Sequence, residues 1–385
     1  MKALLTHEVG SLDKPSWRVK AYAGQPVTDA DIETARVWGE RLKVPGYNVL
    51  LDLLRQAPLD RERKKAVREW SSLYAVRMLE SAGLDVIYDG EQQRSEMYDW
   101  TVQHADGFEP RGSVRAFDNK YYTKAAVVGP ISLRVPFHND EFTYISGVAR
   151  TDLKVPATGA YTIAEWSFDE YHRRDDDLLQ PAAERTQLRT EARRQLVLDV
   201  ARNVIRPNLQ ALIGLGARWI QLDEPGASTE PHELELFVDS FNATADGLDA
   251  TFSTHLCFSD YDLFFPAIER MTGSAQFAVG FANYDSRELG TSDAERPGYR
   301  VIKRFRDLPY KPSLGLGVLD IHTDFIESPE LVRDRILYAV DVFGDPERIH
   351  VTPDCGLRTR SWDVAYAKLR NMVAGTQMAR HELRI

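Results

Sequence analysis

The sequence predicts an α/β protein built as a (β/α)8 TIM barrel, and three observations carry that prediction. Short apolar runs alternate with longer amphipathic segments along the 385 residues, which is the pattern of parallel strands with crossover helices. Eight such runs can be counted, the number that closes a barrel. No G-x-G-x-x-G or Walker loop follows any of them, although a phosphate loop is expected of an open, doubly wound, nucleotide-binding sheet.

The runs fall in order. "ALLTHEVG" from Ala3 is the first strand. Helices follow it: "TDADIETARVWGERLK" starts at Thr28, an N-cap type with Asp31 three residues on, and an amphipathic stretch runs from about Pro58 to Ser81. These form an N-terminal helical extension covering that part of the barrel. "LDVIYDG" from Leu84 and "KAAVVGP" from Lys124 are expected as strands two and three. The region from about 129 to 177 is too long for an ordinary loop and rich in aromatic residues, so a long insertion after strand three is expected to cap the mouth as a lid. "LLQPAAERTQLRTEARRQLVLDVARNVIRPNLQALIGLG" supplies one or two helices before strand four, "ARWIQLDEP" from Ala217. Strands five to eight are "ATFSTHLC" from Ala250, "AQFAVGFA" from Ala275, "SLGLGVLD" from Ser313 and "RIHVTPDCG" from Arg348. "WDVAYAKLRNMVAGTQMAR" closes the chain as a helix whose Arg and Lys are expected on a solvated face. One domain spanning 1–385, with insertions, is the economical organisation.

Composition bounds the function. Hydrophobic residues make up 43% and charged residues 28%, enough for a sizeable core. A formal net charge of −10 argues against a nucleic-acid partner, whose phosphates need clustered Lys and Arg. The start "MKALLTHEVGSLDKP" lacks the apolar core of a signal peptide, and no run approaches the roughly 20 apolar residues of a membrane span. The expectation is a cytoplasmic protein without a membrane partner, its two cysteines reduced.

Those cysteines raise the chemical question. In "STHLCFSDY", period-two alternation on a strand puts His255 and Cys257 on one face, and Cys355 follows the eighth strand in "VTPDCGLRTR". A barrel gathers its strand ends around one mouth, so the distance in sequence is no obstacle. A histidine and two cysteines at one rim are soft ligands suited to zinc, with three protein ligands and an open position as in catalytic zinc sites. An H-x-C pair alone is more often a buried histidine beside an inert cysteine, and it is the placement of all three residues at the rim that raises the metal reading.

"THEVGSL", "DGEQQRSEM", "IQLDEPG", "STHLCFSDY", "GVLDIHT" and "VTPDCGLRTRSW", in this order over nearly the whole chain, resemble the catalytic C-terminal barrel of the cobalamin-independent methionine synthase family. The resemblance implies a zinc-dependent methyltransferase that moves a methyl group onto the thiolate of homocysteine or a similar thiol. It implies His255, Cys257 and Cys355 as zinc ligands, Glu91 and Asp223 at the substrate ammonium, and Ser11 at the amino-acid end. It also implies His322 as the acid that protonates the departing donor nitrogen, with Asp320 orienting its ring. One position departs from the family: where a glutamate supplies a fourth ligand after strand six, this chain has Gly280. Asp285 or Glu288 are the replacements in reach, and otherwise water fills the position; Gly280→Glu is expected to restore the ligand.

The donor is open between a folate, a methyl-corrinoid and another carrier, with a donor protein as a further partner. Trp166, Trp100 and Tyr98 are aromatic candidates for stacking on a flat donor, although lid aromatics usually pack. Two other readings stand beside the methyltransferase. One is a zinc alkyltransferase acting on a sulfonated thiol, against which Glu91 and Asp223 speak because a sulfonate needs cations. The other is a metal-free binding barrel that has lost catalysis through Gly280.

Overall fold

The computed structural model describes residues 2–56, 58–115, 121–173 and 179–385. Eight parallel segments form a closed ring. After the bridge-forming pair Thr6 and His7 come β1 (Val86–Ile87) and a third segment built from β4 (Asp152–Leu153) and β5 (Val155–Thr158). β7 (Trp219–Asp223), β8 (Thr251–Leu256), β9 (Ser274–Val279), β10 (Ser313–Gly317) and β11 (Ile349–Thr352) complete it. Consecutive members pair in parallel from β1 to β11. The N-terminal segment closes the ring: Thr6 bridges Val351 of β11, and His7 bridges Val86 of β1, both in parallel.

Seven of the eight expected strands hold their places, and the third does not. "KAAVVGP" lies in β3 (Tyr121–Leu133), which pairs antiparallel with β2 (Ala105–Arg115) in a hairpin outside the ring. The true third segment, "DLKVPAT", falls inside the stretch expected as a lid. Its lysine and proline disguise it. Lys154 is fully buried in the barrel interior, and Pro156 sits opposite Gln221 of β7; both residue types argue against a central strand in sequence. The excursion therefore divides in two. The hairpin precedes strand three, while α7 (Ala160–Glu165), β6 (Phe168–Asp169) and α8 (Ala182–Val200) follow it.

The helices follow their local signals. Thr28 and Asp31 form the reciprocal capping box that starts α2 (Asp29–Arg41), and Asp60 caps α4 (Arg61–Ala82). With α1 (Ser16–Ala23) and α3 (Tyr47–Leu54) they make the expected helical extension, placed as an enlarged crossover between the first two barrel segments. Later, α9 (Arg206–Gly214) continues α8 through a π-turn, and α10 is Leu234–Ala245. Short α5 (Met97–Val102), α6 (Asn139–Val148) and α11 (Ile302–Arg306) lie between; α12 (Pro329–Phe343) and α13 (Trp362–Leu383) finish the chain.

The closing helix corrects one expectation. Lys368 of α13 is not solvated: it is fully buried, and its ammonium donates to Glu327 Oε2 at 2.7 Å, to the Asp320 carbonyl at 2.9 Å and to the Phe325 carbonyl. Arg380 likewise reaches back to the Ala3 and Leu4 carbonyls and to Asp85. Both side chains tie the last helix to loops at opposite ends of the ring.

Candidate metal centre and thiol site

Strand alternation puts His255 and Cys257 at the C-terminal end of β8, and β11 leads into Cys355. One ligand atom from each of the three lies within 4.8 Å of the others, the one such group of three or more His, Cys, Asp or Glu among the described residues. His255 Nε2 is 3.3 Å from Cys355 Sγ. The other ring nitrogen, Nδ1, is 3.0 Å from the Ala278 carbonyl on β9. That contact requires the proton on Nδ1 and leaves the Nε2 lone pair facing the thiols, which is how metal-bound histidines are held. Tetrahedral zinc with bonds of about 2.0 to 2.3 Å needs ligand atoms roughly 3.5 to 3.8 Å apart, so the observed cluster fits with small adjustments.

Proximity of the three side chains sets the electrostatics of the centre. The contact with Cys257, and then burial, push the Cys355 thiol well above its usual range. Burial is the largest influence on the His255 pKa and works to lower it, but the Cys355 sulfur, Asp223 and the Ala278 carbonyl together outweigh it and hold the ring above its ordinary value. Two thiolates at this spacing repel each other, and a bound cation would offset their charge.

Among the described residues no carboxylate joins this group of three. Asp285 is committed elsewhere, fully buried between Arg296 Nη1 at 2.6 Å and Arg335 Nε at 3.0 Å, and Glu288 is exposed. A Cβ built on Gly280 meets both the Cβ and the carbonyl oxygen of Asp354 at 3.0 Å. The glycine is thus a packing position, and Gly280→Glu has first to displace Asp354. That aspartate is buried, pushed up to about 7 chiefly by burial. It accepts the backbone N–H groups of Phe281, Ala282 and Asn283 at 3.1, 3.0 and 2.7 Å, closing the turn after β9 beside the centre.

The expected substrate residues surround the same mouth. Gly10 and Ser11 follow the first segment, and Leu12 N–H donates to the Gly90 carbonyl at 3.0 Å. A Cβ on Gly10 would stand 3.1 Å from Glu91 Oε1, and one on Gly356 would stand 2.4 Å from Ser11 Oγ. Ser11 is therefore packed on the residue after Cys355, with Glu91 beside it. Asp223 ends β7 directly opposite His255 in the ladder. Burial pushes its carboxyl up to about 6, with His255 pulling it down and Glu91 adding to the rise. Its Oδ1 accepts from Gln221 Nε2 at 2.6 Å.

Glu224 does something else. Its carboxylate accepts from Tyr161 N–H at 3.2 Å, Thr162 N–H at 2.8 Å and Thr162 Oγ1 at 2.6 Å, capping the first turn of α7. His322 sits exposed on the loop after β10, its ring 4.9 Å from Phe258. Asp320 does not hold that ring: its Oδ1 accepts the His322 backbone N–H at 2.9 Å. It shapes the turn, and Lys368 and Glu327 anchor the turn from below.

Other expected residues are packing. Tyr98 stands 5.5 Å from Tyr122 and 6.3 Å from Trp166, while Trp100 packs on His104 in a separate cluster. Sequence reading passed over Phe258, Tyr261, Gln221, Lys154 and Asp354, all near these residues or behind them. The recognisable signals were the residue Phe258 directly after the cysteine ligand and the acid Asp354 directly before the other.

Comparison with known proteins agrees with this centre. The family described as "Cobalamin-independent synthase, Catalytic domain" matches residues 52–378. The chain belongs to the cobalamin-independent methionine synthase family. A methionine synthase of Thermoplasma acidophilum is 35% identical over 100% of this chain and 99% of its own length. One from Pyrococcus furiosus is 32% identical over 99% and 94%. Among solved structures, a B12-independent methionine synthase from Shewanella sp. W3-18-1, in complex with selenomethionine, superposes with a TM-score of 0.74 at 19% identity, covering 100% of this chain and 99% of that one. The family is zinc-dependent, and the barrel brings together a His/Cys/Cys group that could hold such a metal. No helix among the described residues is long and apolar enough to cross a membrane.

Proposed function

We propose that this methyltransferase makes methionine: the thiol of homocysteine is the acceptor and a small methyl carrier is the donor. The observation that carries this reading is the convergence of His255, Cys257 and Cys355 within 4.8 Å at the barrel mouth. Zinc held there lowers the pKa of a substrate thiol and keeps it as a nucleophilic thiolate at neutral pH.

The chain's own residues supply the rest. Glu91 and Asp223 bind the substrate ammonium, a charge that needs carboxylate partners once it is withdrawn from water. Ser11 positions the amino-acid end. His322, at the rim and in reach of solvent, donates its proton to the leaving nitrogen of an amine donor such as methyltetrahydrofolate. The donor's N–C bond breaks as the S–C bond forms, and the nitrogen takes up the proton. Burial lowers the His322 pKa from its usual value, which makes the ring a readier acid for that step. The reaction is placed in the cytoplasm.

A sulfonated thiol is the poorer acceptor because Glu91 and Asp223 present carboxylates where a sulfonate needs cations. The deciding experiment measures metal per chain and then methionine formed from homocysteine with methyltetrahydrofolate and methylcobalamin offered separately. About one zinc per chain and methionine from either donor is the expected result. Absence of metal after reconstitution, or of product with both donors, overturns the reading.

A further inference from the structure

We propose that the phenol of Tyr261 donates a hydrogen bond to the sulfur of the incoming thiol at the metal's fourth position. The inference rests on the zinc-thiolate reading above and assigns a residue that the sequence motifs did not.

Tyr261 opens a 3-10 turn, Tyr261–Phe264, four residues beyond Cys257. Only 4% of it is exposed, and its ring packs edge-on against Phe281 at 5.8 Å. Its hydroxyl has no hydrogen-bond partner among the described residues. A buried O–H without an acceptor is costly, so a native site that keeps one is arranged for a partner that arrives.

The neighbours indicate which partner. The ring packs on Phe281, whose backbone N–H is held by Asp354, the residue before Cys355, and the ionisable groups around the phenol are Cys257, Asp354, Tyr284 and Cys355. Asp354 is engaged by three backbone N–H groups. Tyr284 is half-exposed and stacked towards Phe258 on the outer lip. What remains is the sulfur cluster, and neither Cys257 nor Cys355 accepts from the phenol. The missing acceptor is therefore an atom brought to the cluster, and a third sulfur satisfies it. Among the described residues no protein carboxylate competes for that place, since Gly280 has no side chain and Asp285 is held by two arginines. Burial raises the pKa of the phenol, so it stays a neutral donor.

The chemical consequence is selective. An O–H donor stabilises a thiolate over the protonated thiol, because hydrogen bonds to charged acceptors are the stronger class. A neutral thioether sulfur is a weak acceptor. Tyr261 thus favours bound substrate over bound product.

The test uses the full chain loaded with cobalt(II) in place of zinc and follows the sulfur-to-cobalt absorption as homocysteine is added across neutral pH. In Tyr261→Phe the metal stoichiometry and the resting spectrum should match the wild type. Homocysteine affinity should fall roughly tenfold or more, and the pH midpoint of binding should move up. A 3,5-difluorotyrosine at 261, a stronger donor of nearly the same shape, should move the midpoint down. Tyr284→Phe should titrate as wild type. Unchanged affinity and midpoint in Tyr261→Phe overturns the proposal, as does a changed resting spectrum, which means that the oxygen ligates the metal itself. An equal loss in Tyr284→Phe overturns it too. If the wild type shows no sulfur-to-cobalt band with homocysteine, the thiol-activation reading falls and this inference with it. If the band appears in the wild type and is untouched in Tyr261→Phe, this inference alone falls.

Discussion

The three proposed metal ligands and the two proposed substrate carboxylates are assigned different work, and single substitutions separate them. Cys355→Ser removes a soft thiolate from a set of three, so the chain should no longer hold zinc through dialysis; elemental analysis of the dialysed protein checks this. Glu91→Gln and Asp223→Asn leave the ligands in place but take away a charged acceptor for the substrate ammonium. A charge-assisted contact is worth roughly 1.5 to 3 kcal/mol, so each should weaken homocysteine binding by about ten- to more than a hundredfold with the metal retained. Calorimetric titration of the zinc-loaded variants reads that difference. Unchanged affinity in both would move the acceptor to a thiol without an amino group. Asp223 was expected at the substrate from the family resemblance, and it ends a strand opposite His255. The division of labour with Glu224 was not, since adjacent acids on a strand end look alike until one is seen capping α7.

At the scale of elements, close helix contact depends on positions without a side chain. A Cβ on Gly375 of α13 would stand 2.5 Å from the Pro329 carbonyl and 2.7 Å from Val332 Cβ on α12. Because the nearest atom is backbone, Gly375→Ala must push the two helices apart. It should cost about 1 to 3 kcal/mol of stability, the usual range for overpacking. Gly147 of α6 has nothing within 4 Å of its added Cβ, so Gly147→Ala should be neutral or stabilise by up to about 1 kcal/mol through helix propensity. Denaturant unfolding of the pair checks both signs. The capping box of α2 and the start of α4 were readable from Thr28, Asp31 and Asp60 because capping is local chemistry. The third barrel segment was not, because Lys154 and Pro156 are explicable only by what surrounds them.

For the whole molecule, the barrel interior is a buried polar network rather than an apolar plug. Lys154 donates to the Glu8 carbonyl at 2.8 Å and to Gln221 Oε1, and lies 2.9 Å from His7 Nδ1; His7 and His350 flank Gln276. The Glu8 carboxylate is buried with neither oxygen hydrogen-bonded among the described residues, and burial raises its pKa from 4.5 to about 8. A carboxyl whose folded pKa is raised keeps its proton on folding. Its contribution is fully present below pH 4.5 and is lost as pH rises towards 8. Stability should therefore fall through that window with a slope of up to about 1.4 kcal/mol per pH unit from this group. Lys154, lowered by burial from 10.5 to about 8, acts in the opposite sense above that window. Glu8→Gln should flatten the decline between weakly acidic and neutral pH. Melting curves of variant and wild type over that range test it; parallel curves would mean that Glu8 is ionised in the folded protein.

What the sequence determined by itself is what short-range rules encode. Alternating apolar runs marked the barrel, the H-x-C pair and the downstream cysteine marked a candidate metal cluster, and local caps marked helix starts. Each depends on period, residue type or a neighbour within four positions. The resemblance to the family extended this to Ser11, Glu91, Asp223 and His322. Tertiary structure alone decided the rest. It closed the ring through two bridges at Thr6 and His7, made a buried lysine part of strand three, and bound Asp320 to a backbone amide instead of the His322 ring. It also filled the space beside Gly280 with Asp354 and left the Tyr261 hydroxyl without an acceptor. Those outcomes depend on which distant side chains share a desolvated space, and burial alters the cost of each polar group in ways that no local pattern records.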